Sequence, residues 1–212
     1  MNKIEMSTGN ILIINEPIKK IIIDEDTEFN QVIFEKEAFQ LKIVIKSHVS
    51  LKIHSVSSIK NCNGIISISS GEGSSLLFHL GLKASLENHL KIVNEMDESY
   101  AQSEIKVRVA GYNNAKVSLT TTGILAKNIK DNIFLEDVKY FNDEDSYIEC
   151  IPELFVESSE VVANHNVTIG GVTLEEMFYL ESKGITKEVA KELLKESFIH
   201  SMKEEEGGAL CI

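Results

Sequence analysis

Arginine is nearly missing from this chain. Arg108 is the only one in 212 residues, and 21 basic residues face 33 acidic ones for a formal net charge of −12. Neutralising a phosphate backbone takes clustered Lys and Arg, so the acidic excess argues against a nucleic-acid partner and favours a neutral or basic protein surface. A single guanidinium also leaves few bidentate anion clamps. Tryptophan is absent, proline occurs twice and cysteine three times. Cys62, Cys150 and Cys211 are odd in number and far apart, which fits neither a disulfide framework nor a paired-cysteine zinc site. No apolar run approaches the twenty or so residues that span a bilayer. The N-terminal Met-Asn-Lys-Ile-Glu-Met-Ser has an early acidic residue and no apolar stretch leading to a small-residue cleavage site. A cytoplasmic protein without membrane contact is expected.

Signatures of catalysis are missing as well. There is no Gly-x-Ser-x-Gly elbow, no Walker loop and no dinucleotide-binding glycine fingerprint, so neither an enzyme nor an organic cofactor is expected. Gly71-Glu72-Gly73-Ser74-Ser75 precedes a strand pattern rather than a helix, which makes it a poor phosphate cradle. His48, His54, His79, His89 and His200 lack the spacings of a zinc site. His79 falls on the face opposite Phe78 and is expected to be solvated. Cys62, between Asn61 and Asn63 in a turn, is expected to be exposed.

What is present is alternation. Leu41-Ile43-Ile45, Val49-Leu51-Ile53, Leu76-Phe78-Leu80-Leu82 and Ile105-Val107-Val109 have period two, the mark of strands with one buried face. Turn formers such as Asn61-Cys62-Asn63-Gly64 and Gly111-Tyr112-Asn113-Asn114 interrupt them every eight to twelve residues or so. That spacing suits a sandwich, a barrel or a solenoid. Two features favour the solenoid: no segment of helical period precedes residue 173, and apart from Asn63-Gly64 the two-residue Asn-Gly or Asp-Gly hairpin signals of a meander are lacking.

At Thr173 the period changes. Thr173 and Glu176 form a capping box, and Leu174, Met177, Phe178 and Leu180 supply an apolar stripe. Gly184 stands where a left-handed residue ends a helix, and Thr186 opens a second helix bearing Val189, Ala190, Leu193, Leu194, Phe198 and Met202. The expected organisation is a β-domain over 1–172, a helical hairpin over 173–206 and a flexible tail over 207–212.

The order of these elements resembles the C-terminal core of the SufB/SufD family of iron–sulfur cluster assembly proteins. There a Pro-x-Leu strand leads to a His-x-Ala-Thr-x-Gly turn and then a Phe-Tyr-Leu-x-Ser-x-Gly-Ile corner. This chain has Pro152-Glu153-Leu154, His165-Asn166-Val167-Thr168-Ile169-Gly170 and Phe178-Tyr179-Leu180-Glu181-Ser182-Lys183-Gly184-Ile185. The resemblance implies a right-handed parallel β-helix carrying the helical hairpin. It also implies a SufC-like ABC ATPase that docks on the hairpin through Phe178, Tyr179, Leu180, Gly184, Ile185, Leu193, Leu194 and Phe198. A second copy, or a SufB-like paralogue, is the implied dimer partner.

The same resemblance makes His165 the candidate metal and cluster ligand for a transient iron–sulfur cluster, with Cys150 and Glu149 the nearest thiol and carboxylate before Pro152. Two departures point to a SufD-like member. Asn166 follows the histidine where SufB-like members have Glu, and the scaffold cysteine column falls near Asp137, where no cysteine lies. Strands begin almost at once, near Ile11, so a short variant of the family is implied. The competing expectation is a structural β-solenoid that polymerises without cluster chemistry and uses the hairpin only to cap its core.

Overall fold

The computed structural model describes residues 10–142 and 145–203. The expected tail at 207–212, with Cys211, lies outside the described residues. The chain winds as a parallel β-solenoid of about five turns and ends in two helices. Its twelve strands are β1 Ile11–Ile14, β2 Ile18–Ile23, β3 Thr27–Phe29, β4 Gln31–Phe34, β5 Ala38–Ile45, β6 Ser50–Lys60, β7 Asn63–Ser70, β8 Ser75–Met96, β9 Gln102–Leu125, β10 Lys130–Asn142, β11 Tyr147–Val156 and β12 Glu160–Gly171. Every strand pairing among the described residues is parallel.

Ten of the strands stack into two walls, and β1 pairs with β4 in a separate two-stranded sheet. One runs β3, β6, the first half of β8, the first half of β9, β10 and β12; the other runs β2, β5, β7, the second halves of β8 and β9, and β11. Period two puts every second residue inside. Leu51, Ile53, Leu76, Phe78, Leu80, Ile105, Val107 and Phe134 from the first wall meet Ile43, Ile45, Ile66, Ile68, Leu90, Ile92 and Leu119 from the second in one continuous core. Burying each of these side chains stabilises the fold by roughly 1.5–3 kcal/mol.

Corners between the walls need left-handed backbone. His48, Gly73 and Tyr100 take it in successive coils, with φ of 61°, 61° and 63°. Each joins the next coil through its amide: His48 N donates to Glu72 O, Gly73 N to Ser99 O and Tyr100 N to Lys130 O. At Gly73 a Cβ would lie 2.5 Å from His48 Nδ1, so the stack admits nothing larger. The opposite corner uses Asn61, Leu86 and the pair Asn113-Asn114. There Asn88, fully buried, accepts from Cys62 N and donates to Ser85 O. Cys62 is therefore buried, contrary to expectation, and burial pushes its thiol up to about 11.

The helices are α1 Leu174–Ser182 and α2 Lys187–His200, followed by a 3-10 turn over Ser201–Lys203. The capping signals read from the sequence are all used. Thr173 accepts from Glu176 N while Glu176 accepts from Thr173 N, Gly184 has φ +84°, and Thr186 accepts from Val189 N. Thr173→Ala is expected to weaken α1 by about 1 kcal/mol. Amide hydrogen exchange should read this as roughly five-fold faster opening confined to α1.

The hairpin does not close an end of the solenoid. Instead α2 crosses the outer face of the first wall. Ile199 is buried over Gly81 and Val56, Phe198 stacks edge-on against Phe141 with centroids 5.5 Å apart, and Leu194 packs in the same cluster. Polar contacts fix the crossing at several strands: Lys83 with Glu196 at 2.5 Å, Tyr112 Oη donating to Glu196, and Lys195 Nζ donating to Gly111 O at 2.7 Å. Lys195 also sits over the Tyr112 ring. The C-terminal end of this crossing covers His79, which is 2% exposed rather than solvated. Its Nε2 lies 2.7 Å from Glu104 Oε1, and that hydrogen bond draws the Glu104 carboxyl down to about 2.

Candidate functional site

The last coil has neighbours on one side only. β11 pairs with β9 and β12 with β10, and no described strand lies beyond them. Their inward residues therefore line an open mouth. On β12 these are Val161, Ala163, His165 and Val167; on β11 they are Ile148, Cys150, Pro152 and Leu154.

His165 is register partner to Glu136 on β10. Glu136 lies in the alternation Phe134, Glu136, Val138, with its neighbours on both sides in the core, so its carboxyl points into the solenoid and is only 3% exposed. Across the interior, Thr121 Oγ1 donates to Glu136 Oε1 at 2.6 Å. Glu136 Oε2 is buried and has no hydrogen-bond partner. Burial raises the Glu136 pKa above the ordinary glutamate value, against the smaller opposing pull of the Thr121 hydrogen bond and the His165 charge.

The Thr121–Glu136 contact also shows which residues oppose each other across the lumen. One coil on, Thr121 is replaced by Pro152 and Glu136 by His165. Pro152, not Cys150, thus faces His165. Cys150 pairs with Leu119, is half-buried, and influences Tyr140 instead. Burial, with Glu149 adding to it, pushes the Cys150 thiol up to about 12, so it is held as a thiol. Glu149 has the opposite parity and is exposed on the outer wall. Of the three residues expected at the site, the structure puts His165 at the mouth, Cys150 on the facing wall two positions from the residue opposite it, and Glu149 outside. Among the described residues no set of three or more His, Cys, Asp or Glu is placed to hold a metal ion.

On the outer face of β10, Asp137 organises the other side of the same strand. Arg108, 0% exposed, places Nη2 2.7 Å from Asp137 Oδ2 and donates through Nη1 to Asp137 O. Asn166, beside His165, donates its amide to Asp137 Oδ1 at 3.0 Å. The position where a glutamate would suit ligation thus carries a residue that ties the strand bearing His165 to its neighbour.

The hairpin residues divide. Leu194 and Phe198 turn toward the sheet, and Leu180 and Ile185 are half-buried. Phe178, Tyr179 and Leu193 are exposed, Gly184 shapes the corner, and α1 contains no buried residue. Leu174, at 90% exposure, and Phe178, at 74%, continue that apolar surface, with Met177 partly buried between them.

The molecule is a parallel β-solenoid whose open last coil presents a histidine beside a buried carboxylate and whose helical hairpin displays apolar side chains. Residues 140–198 match the SUF system FeS cluster assembly, SufBD core domain. An "Iron-sulfur cluster assembly SufBD family protein" from Methanothermobacter thermautotrophicus is 34% identical over 56 residues, which are 26% of this chain and 14% of that relative. Over this stretch the chain is similar to SufB/SufD-family iron–sulfur cluster assembly proteins. The match covers the open coil and the hairpin, and the aligned stretch is well under two thirds of the relative's length.

Proposed function

We propose that this protein is a component of a cytoplasmic iron–sulfur cluster assembly complex and works with a SufC-like ABC ATPase that engages the helical hairpin. The observation that carries this reading is the exposed apolar surface of α1 within the stretch that matches the SufBD core domain. Aromatic anchors that the fold leaves uncovered are what an interface uses for affinity. The chain itself hydrolyses nothing; ATP is consumed by the partner.

The fold supplies a route from hairpin to site. Phe198 on α2 sits against Gly170, where a Cβ would come within 2.9 Å of the ring, and Gly170 is five residues along β12 from His165. A pull on the hairpin by the ATPase would therefore act on the strand that carries the histidine. Across the open coil, a second copy or a longer SufB-like paralogue brings the remaining cluster ligands. Tyr147, Ile151, Phe155 and Val162 on β11 and β12 provide exposed apolar surface at that end.

The test is co-expression with an ABC ATPase subunit of a SUF system. Phe178→Asp and Tyr179→Asp are expected to weaken its retention at least ten-fold with melting temperature unchanged. Anaerobic reconstitution with iron and sulfide, followed by visible absorbance, should lose its cluster signal in His165→Ala and keep it in Cys150→Ala. Full ATPase retention by both hairpin variants would sink the reading.

A further inference from the structure

We propose that Glu136 and His165 together form a binding site for a single divalent transition-metal ion at the mouth of the last coil. Naming that ion as ferrous iron deepens the cluster-assembly reading and rests on it; the site does not.

The first ground is the cost of Glu136. An ionisable carboxyl inside an apolar solenoid is unfavourable unless its oxygens are paired. Thr121 satisfies Oε1, and Oε2 remains buried without a partner. A side chain held by one oxygen with the other left over is poised for a ligand. Nothing about the packing requires it, since Phe134 and Val138 show that apolar residues fill the neighbouring inward positions.

The second ground is register. His165 occupies the position next to Glu136 on the adjoining parallel strand, so both side chains emerge on the inward face. Adjacent strands lie about 4.8 Å apart, a separation that two side chains can close onto one ion at ligand distances of roughly 2.0–2.2 Å. The third ground is access. Glu136 is sealed by its own coil, but no described strand follows β12, so the His165 side of the pair opens outward. Val161, Ala163 and Val167 flank it with apolar surface, which strengthens attraction between an entering cation and the carboxylate.

The donor set defines the ion. One carboxylate oxygen and one imidazole nitrogen suit divalent iron, manganese, cobalt or zinc, and they disfavour soft cuprous ion. Cys150 does not add a thiolate, being held protonated on the facing wall beside Tyr140. Two protein ligands leave positions free for water, sulfide or groups from a second chain. Binding displaces any proton on Glu136 to solvent, so affinity should rise with pH.

The experiment uses the full chain without a partner. Anaerobic calorimetric titration with ferrous iron is paired with cobalt(II) titration followed through its visible d–d absorption. Glu136→Gln keeps the shape and the oxygen that accepts from Thr121, while His165→Ala alters an exposed residue. Each is expected to weaken binding of both ions at least ten-fold, and the double variant should lose little more, because either change alone dismantles the shared site. Glu149→Gln, one strand position from Cys150 but on the outer wall, should bind as the wild type does. Wild-type affinity in either His165→Ala or folded Glu136→Gln would overturn the proposal. Lost ATPase retention with metal binding intact would sink the assembly reading alone, and the converse would sink the site alone.

Discussion

Replacing Arg108 with methionine is expected to destabilise the protein by about 3 kcal/mol, because breaking a buried ion pair from one side strands the other charge. That is the lower end of the usual range, chosen because Asp137 keeps some contact with water at 22% exposure while Arg108 has none. For a domain of this size the loss corresponds to a fall in melting temperature of roughly 6–12 °C, measurable by calorimetry. The pH profile gives a second reading. Burial alone would raise the Asp137 pKa, but the Arg108 charge and hydrogen bond, the Asn166 amide and Lys139 outweigh it and hold the carboxyl below its usual range. A depressed pKa contributes stability that is present above the unfolded-state value and disappears as pH falls through the folded one. Wild type should therefore lose stability on acidification below about pH 4, and Arg108→Met should show much less of that loss. An unchanged melting temperature would mean that the guanidinium is not what holds β9 to β10.

The neighbouring carboxyl is expected to behave in the opposite sense. In the metal-free protein Glu136→Gln should raise stability at pH 8 by about 1–3 kcal/mol, the usual penalty of a buried polar group left unsatisfied. Its pKa is raised, chiefly by burial, so its favourable contribution is complete below the unfolded-state value and is lost as pH rises through the folded one. The gain from Gln should accordingly shrink toward pH 4, as denaturant melts at several pH values would reveal. Two adjacent acidic residues thus carry opposite pH signatures because one faces an arginine outside the wall and the other faces a hydrocarbon interior. A glutamine variant less stable than wild type at pH 8 would show that the ionised carboxylate is satisfied in solution.

Much of this architecture could be read from residue order. Thr173 with Glu176, Gly184 and Thr186 mark the starts of both helices and the end of α1 to within a residue, because capping is local chemistry decided by side chains three positions apart. Period two marks the strands, the absence of early helices favours a solenoid over a sandwich or barrel without deciding it, and the family resemblance implies the β-helix. The corners were harder. β8 and β9 run through Leu86 and Asn113-Asn114 without a break, since a single left-handed residue turns the chain yet leaves both flanks paired. Cys62 stands in a turn yet is buried in the core, and Asn88 of the next coil, 26 residues away, accepts from its amide. His79 was rightly placed on the outer face, and only tertiary packing of the α2 end removed it from water.

At the site, His165 was legible from its motif, whereas Glu136 was passed over. The signal was there: Phe134, Glu136, Val138 and Tyr140 form a period-two run, and an acidic residue in the inward phase of such a run marks a buried carboxyl. Asp137 beside it, with an ordinary outward charge, masks that signal. Glu149 and Cys150 were chosen by proximity along the chain, which ignores that consecutive strand residues face opposite sides.

The oblique path of α2 also bears on how the molecule comes apart. Solenoids tend to behave as one-dimensional arrays in which each coil speaks only to its neighbours and ends fray independently. Here Lys83 and Glu196, 113 residues apart in sequence, are joined, and the same helix touches β6, β8 and β9 in turn. A brace laid across the rungs couples coils that would otherwise melt separately. Unfolding should then be a single cooperative transition, and whatever grips the hairpin grips the middle of the ladder as well as its end.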